Sequence, residues 1–190
     1  VQWKSNGVGV TTNGVLKIYD TVLVLKQHET ASVKLKGTTP STKQHFYQDN
    51  FEITRGAKGL RIVNRVSMNN YLAGVIESEG GGGRHIEYYK VQALMSRTYA
   101  IKNSQRHKKD GYNVCDGVHC QAYHNKLQYT PSIRTAVRET EGMVLVDHNK
   151  NLVTSYFSAN CGGQVCDASY VWNTSVSYVQ PFVDTFCVHT

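Results

Sequence analysis

The chain has 190 residues and a mass of 21.3 kDa, with 40% hydrophobic and 18% charged residues. That composition excludes intrinsic disorder and fits one domain, or one with a small appendage; no uncharged apolar run approaches the roughly 20 residues of a membrane span. Twenty-one Lys and Arg against 14 Asp and Glu leave a net charge of +7, a surface suited to polyanions, yet the densest basic cluster, Arg106-His107-Lys108-Lys109, is too short for a nucleic-acid-binding arm.

Residues 8–68 read as β-rich. Thr21 to Leu25 and Ala31 to Leu35 have strand composition, Leu60 to Val66 roughly alternates apolar and polar residues, and Val15 to Ile18 is a short apolar run. Gly14, Gly37, Gly56 and Gly59 punctuate the stretch as turns. Asn69 and Asn70 are placed to cap a short helix from Tyr71 to Ile76. Glu79 then stands where a helix must end, because Gly80 to Gly83 cannot continue one and predict a mobile loop. A second helix is predicted from Ile86 to Ser104, with Ile86, Tyr89, Ala93, Leu94, Ala100 and Ile101 on one face. Arg97 shares that apolar face, so it is expected to be partly buried and matched by an acid or by several carbonyls. Residues 105–130 read as a loop carrying His107, Cys115, Asp116, His119, Cys120 and His124. Pro131 opens a third helix, about Ser132 to Thr140. Met143 to Val146 and Leu152 to Phe157 predict two strands joined through Asp147 to Asn151, and Cys161 to Gly163 a tight turn. The sum is an α+β fold: a β-rich N-terminal part, residues 1–68, and a core, residues 69–190, within one domain.

Three groups of residues carry chemistry. Glu79, at a helix end behind Val75 and Ile76, is placed for partial desolvation, which would keep it protonated as a general acid. Glu77 projects elsewhere on a helix, so the two are not a ready glycosidase pair. Cys115, His119 and Cys120, with His107 upstream, suit zinc; a disulfide, free thiols, or a Cys–His nucleophile remain open on spacing alone. Asn160 to Gly163 either lets the backbone approach a ligand or forms a plain hairpin turn. All five cysteines lie at or beyond position 115, and five is odd, so complete pairing leaves one thiol over. The start at Val1, without Met or apolar leader, predicts a mature exported protein or a trimmed one, and export would favour disulfides. No P-loop, dinucleotide fingerprint or H-E-x-x-H helix is present.

Taken in order, the motifs resemble the SpoIID/LytB family. Asn70-Tyr71-Leu72-Ala73-Gly74-Val75-Ile76-Glu77-Ser78-Glu79 is similar to its "YLxGVVxxE". Val91 to Ala100 is similar to "QAVAARTYA", and Cys115-Asp116 through His119-Cys120-Gln121-Ala122-Tyr123 to "CDxxHCQVY". Ala136 to Leu145 is similar to "AVxxTxGxVL", and Asn160 to Gly163 with Val171-Trp172 to "SSGG…VW". The resemblance implies lytic transglycosylase chemistry on peptidoglycan glycan strands stripped of stem peptides, with Glu79 as the acid. One carboxyl suffices for that reaction. It protonates the glycosidic oxygen, then accepts the proton of the MurNAc 6-hydroxyl as a 1,6-anhydro ring closes, with no activated water.

The resemblance further implies a long cleft with Glu79 at its floor. His119, Gln121, Tyr123, Gly162 and Gly163 would be sugar-binding groups there, and Arg97 a brace. No cofactor is required, but zinc on Cys115 and Cys120 with His107 or His119 is implied from some relatives; Cys161, Cys166 and Cys187 depart from the family pattern and keep disulfides as an equal rival. The expected setting is exported, periplasmic or wall-associated, in a sporulation-like context. The expected partners are glycan strands and a cell-wall amidase, with no nucleic acid and no membrane span. Gly80 to Gly83 replace the family's Met-Pro and Trp after the acid, which removes an apolar wall and adds ordering entropy. A non-catalytic wall-binding module or amidase enhancer is therefore the second reading, and a zinc-dependent hydrolase the third.

Overall fold

The computed structural model describes residues 1–28, 31–37, 44–123, 131–158 and 160–188, the side chain of Trp3 excepted. His124 lies outside the described residues. Strands β1 (Gln2–Lys4), β2 (Gly7–Thr12) and β3 (Val15–Tyr19) form an antiparallel meander. Thr12 pairs with Val15 across Asn13-Gly14, both at positive φ (50° and 80°), a connection that matches the twist of the strands it joins. A second antiparallel sheet has the order β4 (Thr21–Val24), β7 (Asn50–Arg55), β8 (Leu60–Arg65), and β5 (Ser32–Leu35) pairs with β6 (His45–Gln48). The β-rich N-terminal part is therefore observed. It includes β1, β2, β6 and β7, which the sequence does not single out.

Asp49, at positive φ between β6 and β7, ties this part to the helices. Its Oδ2 accepts the Ser67 N–H at 2.8 Å and the Asn70 amide at 3.0 Å, and Lys26 lies 2.9 Å from Oδ1. Burial works to raise this carboxyl, but those partners outweigh it and hold it below the usual carboxylate range. Ser67 is in turn the cap of helix α1 (Met68–Gly80), accepting the Asn70 N–H. The cap is thus Ser67 rather than Asn69 or Asn70, because the Asn70 side chain is committed to Asp49. The helix also runs on to Gly80 instead of stopping near Ile76.

Helix α2 (Ile86–Lys102) packs against α1 and α3 (Pro131–Glu139). One hydrophobic cluster joins Val8, Phe51 and Ile53 of the sheets to Leu72, Val75 and Ile76 of α1, Tyr89 and Ala93 of α2, and Ile133 and Val137 of α3. Ile101, predicted for the α2 core face, is exposed. Arg97 is 3% exposed and meets carbonyls rather than an acid: Thr140 O at 2.7 Å, Met143 O at 3.1 Å and Val137 O at 3.2 Å. Burial holds its guanidinium below the usual arginine pKa.

The predicted hairpin at 143–157 reduces to one bridge, Val146 with Leu152. The Val153 N–H donates to Leu145 O at 3.2 Å and the Asp147 N–H to Asn151 O at 2.9 Å on either side of that bridge, and side chains of α2 take further groups of the segment. Thr98 Oγ1 accepts the Leu145 N–H at 2.9 Å, and Lys102 donates to Leu152 O at 3.0 Å and to Thr154 Oγ1 at 2.7 Å. The C-terminal segment holds β9 (Gln164–Val165) antiparallel to β10 (Phe182–Val183), with the short helix α4 (Ala168–Trp172) between them. No helix among the described residues is long and apolar enough to cross a membrane.

Candidate functional site

Glu79 sits in the last turn of α1, where its carboxyl reaches across to the 115–123 segment. Oε1 accepts the Ala122 N–H at 3.0 Å. Oε2 is buried and meets no hydrogen-bond partner among the described residues. A buried carboxylate oxygen without a donor is costly, whereas a protonated one supplies its own hydrogen. Burial accordingly pushes the Glu79 carboxyl above its ordinary value of 4.5, and the Ala122 N–H only partly offsets this.

Glu79 lines a pocket of about 210 Å³ with Tyr99, Gln121, Tyr156, Phe157 and Trp172. Tyr156 and Trp172 stack at 4.2 Å between centroids and 23° between planes, and Trp172 remains about half exposed. Ser155 Oγ donates to Met95 O at 3.0 Å, which fixes this aromatic wall to α2. The long cleft expected around Glu79 is not found among the described residues. A larger cavity, about 1020 Å³, is lined by Tyr47, Asn64, Tyr71, Tyr112, Asp116 and Tyr123 and does not reach Glu79.

Gln121 shares the pocket with Glu79 and accepts from Tyr71 Oη at 2.9 Å. Tyr123 lines the larger cavity instead, packed 5.2 Å from Tyr71 and 5.9 Å from Tyr47 between centroids. Its ring lies where a side chain at position 74 would be: a Cβ on Gly74 would stand 2.4 Å from Tyr123 Cε2. Gly162 and Gly163 form the predicted tight turn, with φ of 66° and 97°, away from the Glu79 pocket. Arg97 lines neither pocket and holds the end of α3. The Gly80 to Gly83 backbone is tied at both sides by one hydroxyl, Tyr89 Oη, which donates to Gly81 O at 3.3 Å and accepts the Arg84 N–H at 2.9 Å. Tyr99 and Trp172 lie within quoted motifs, but nothing local marks them as pocket residues, and Tyr156 lies outside any motif.

His107, Cys115, His119 and Cys120 place one ligand atom each within 4.8 Å of all the others. A tetrahedral zinc ion sets sulfur and nitrogen ligands about 3.5–3.8 Å apart. Here Cys120 Sγ is 3.5 Å from His107 Nε2, and His119 Nδ1 is 3.8 Å from both sulfurs. Behind His107, Asp110 Oδ2 lies 3.3 Å from Nδ1, the carboxylate–histidine arrangement that orients a ligating ring. His119 fits less well. Its Nε2 faces Arg106 Nη2 at 3.2 Å, and arginine only donates, so the ring proton belongs on Nδ1 and Arg106 must turn away for that nitrogen to ligate. All five cysteines are free thiols in this structure. Cys120 also lines the Glu79 pocket, and burial pushes its thiol up.

Residues 56–146 match the family model described as Stage II sporulation protein. Stage II sporulation protein D of Bacillus amyloliquefaciens is 28% identical over 133 residues, covering 62% of this chain and 38% of that protein; the Bacillus subtilis protein of that name shows the same values. An uncharacterized protein of Brachyspira hyodysenteriae is 26% identical over 185 residues, covering 94% of this chain and 50% of its own length. The chain thus spans half or less of the curated relatives it matches. No solved structure matches it.

Proposed function

Because the chain belongs to the SpoIID family, which points to a cell-wall-related role, we propose that it cleaves peptidoglycan glycan strands as a lytic transglycosylase with Glu79 as the only acid and base. The observation that carries this reading is the Glu79 carboxyl itself: one oxygen on the Ala122 N–H, the other buried without a donor, and a pKa raised by burial. Such a group keeps its proton to higher pH than an exposed carboxyl does, and protonated at Oε2 it can deliver that proton to a glycosidic oxygen. The Ala122 N–H then stabilises the carboxylate that remains. That carboxylate accepts the 6-hydroxyl proton of MurNAc as the anhydro ring closes, so no second carboxylate is required. The stacked Tyr156 and Trp172 offer a flat apolar face to a sugar ring, and Gln121 a fixed polar edge.

His107, Cys115, His119 and Cys120 are the residues that would hold zinc. A zinc ion with four protein ligands has a structural role, and by holding Cys120 it would keep the adjacent Gln121-Ala122 backbone on Glu79. An exported, wall-facing setting, glycan strands as substrate and a cell-wall amidase as partner belong to this same reading.

A non-catalytic wall-binding role, including amidase enhancement, is favoured by the size of the pocket. At about 210 Å³ it falls below the roughly 300–1,000 Å³ of ordinary ligand pockets and suits one ring rather than a strand. Mass spectrometry of denuded glycan strands incubated with wild type and with Glu79→Gln separates the two. Anhydro-ended fragments from wild type alone are expected. Reducing-end fragments would sink the mechanism, and strand binding without any product from either protein would establish the binding role instead.

A further inference from the structure

The segment that brings Trp172 to the Glu79 pocket has almost no core of its own. Between residues 160 and 188, only Ala168 is buried among the described residues, while Tyr170, Val171, Phe182, Val183, Phe186 and Val188 are exposed. Its regular structure amounts to two strands of two residues, the five-residue α4 and a three-residue 3-10 turn, Thr185–Cys187. Pieces this short cannot order themselves by apolar burial, and in small folds the missing stability comes from a metal or a disulfide.

The ends of the segment meet at a cluster built for the first of these. The Gly162-Gly163 turn and the β9–β10 pair bring Cys161 against Asp184 and Cys187, and the Asp184 N–H closes the turn on Gly163 O at 2.9 Å. Asp184 divides its carboxyl between two tasks. Oδ1 accepts the Phe186 N–H at 3.0 Å and caps the 3-10 turn. Oδ2 faces both thiols, 3.3 Å from Cys161 Sγ and 3.6 Å from Cys187 Sγ. The three ligand atoms lie within 4.8 Å of one another. Zinc–sulfur bonds of about 2.3 Å and a zinc–oxygen bond of about 2.0 Å, at a tetrahedral angle, require sulfur and oxygen about 3.5 Å apart. The observed pair of distances brackets that value. A disulfide between the two cysteines would leave the Asp184 oxygen facing uncharged sulfur.

We propose that Cys161, Asp184 and Cys187 form a binding site for a soft divalent cation of the zinc class, distinct from the His107, Cys115, His119 and Cys120 cluster. The cation displaces one proton from each thiol and takes two thiolates and one carboxylate, leaving a fourth position for water. It closes the chain from Cys161 to Cys187 into a loop and thereby holds α4, with Trp172, on Tyr156. The cysteine arithmetic then resolves as two, two and one, with exposed Cys166 as the odd thiol. This site does not depend on the proposed transglycosylase activity.

Site-resolved thiol labelling tests it on the full chain. Reduced protein is alkylated with iodoacetamide with and without Zn2+, and the peptides are quantified by mass spectrometry. With Zn2+ at about ten times its Kd, about a tenth of the sites stay empty, so Cys161 and Cys187 should react about tenfold more slowly while Cys166 is unchanged. Asp184→Asn keeps an oxygen for the cap and removes the anionic ligand. Loss of an outer-shell partner already costs about 10- to 100-fold in metal affinity, so this variant should lose the protection with its helical circular dichroism intact. Elemental analysis of Cys161→Ser/Cys187→Ser should show one metal equivalent fewer than wild type. Equal labelling of all three cysteines with and without Zn2+, an unchanged metal content in the double variant, or recovery of a Cys161–Cys187 disulfide from the Zn2+-treated protein would each overturn the proposal.

Discussion

Gly74→Ala reverses the usual sign of a helical glycine replacement, and the size of the reversal can be worked from the packing. Inside a helix, Ala is favoured over Gly by about 0.5–1 kcal/mol. At position 74, however, the added Cβ meets Tyr123 Cε2 at 2.4 Å and Cδ2 at 2.8 Å, where carbon atoms need about 3.5–4.0 Å. The ring cannot swing away freely, since it is 3% exposed and wedged between Tyr47 and Tyr71. Tyr123 or α1 must therefore move by about 1 Å, and overpacking of this kind costs about 1–3 kcal/mol. Overlap outweighs propensity, so a net loss of about 1–2 kcal/mol is expected in urea denaturation. The movement also reaches the site, because Tyr123 follows directly on Ala122, whose N–H rests on Glu79 Oε1. A shift of about 1 Å breaks that 3.0 Å bond and removes the one contact that lowers the Glu79 pKa. The basic limb of the glycan-cleavage profile should then move upward. In a Tyr123→Ala background the overlap is gone, so Gly74→Ala should become neutral or stabilising, a coupling of at least about 1 kcal/mol. If Gly74→Ala stabilises the protein with Tyr123 in place, or costs the same in both backgrounds, the contact does not set the position of the segment.

Three further outcomes are expected. Arg97→Ala strips partners from three carbonyls at and beyond the end of α3 and should cost about 3–5 kcal/mol, lowering Tm by about 6–20 °C, with a smaller loss for Arg97→Lys; a cost below about 1 kcal/mol would show that those carbonyls find other donors. Because the folded state raises the Glu79 pKa, cleavage should be present below that raised value and lost as pH rises through it. Its contribution to stability should likewise be full below 4.5 and lost as pH rises through the folded value, and a pH profile unchanged in Glu79→Gln would contradict this. Trp172→Ala should weaken glycan binding by about 5- to 30-fold, the equivalent of one to two kcal/mol, without loss of the helical signal; unaltered binding would remove the Tyr156–Trp172 stack from the site.

The amino-acid sequence by itself determined the β-rich start, all three longer helices to within a few residues, and a buried Arg97 that needs partners, while the structure chose carbonyls over an acid. It also marked Glu79 as a lone carboxyl at a helix end. These features rest on periodicity, on glycine and proline punctuation, and on the cost of burying a charge, all of which act within one segment. Tertiary structure alone decided the rest. Ser67 became the cap because Asp49, reached through β6 and β7, claims the Asn70 side chain. Residues 143–157 pair only around the Val146–Leu152 bridge, and Thr98 and Lys102 of α2 take the Leu145 N–H and the Leu152 carbonyl beside it. Tyr123 went to the larger cavity although Gln121, two residues before it, faces Glu79. Tyr156 and Trp172 meet only where the 143–157 segment and α4 come together. The same holds for Cys161, Asp184 and Cys187, since a sulfur and a carboxylate more than twenty residues apart become neighbours only through the register of two strands, and that register is a property of the whole chain.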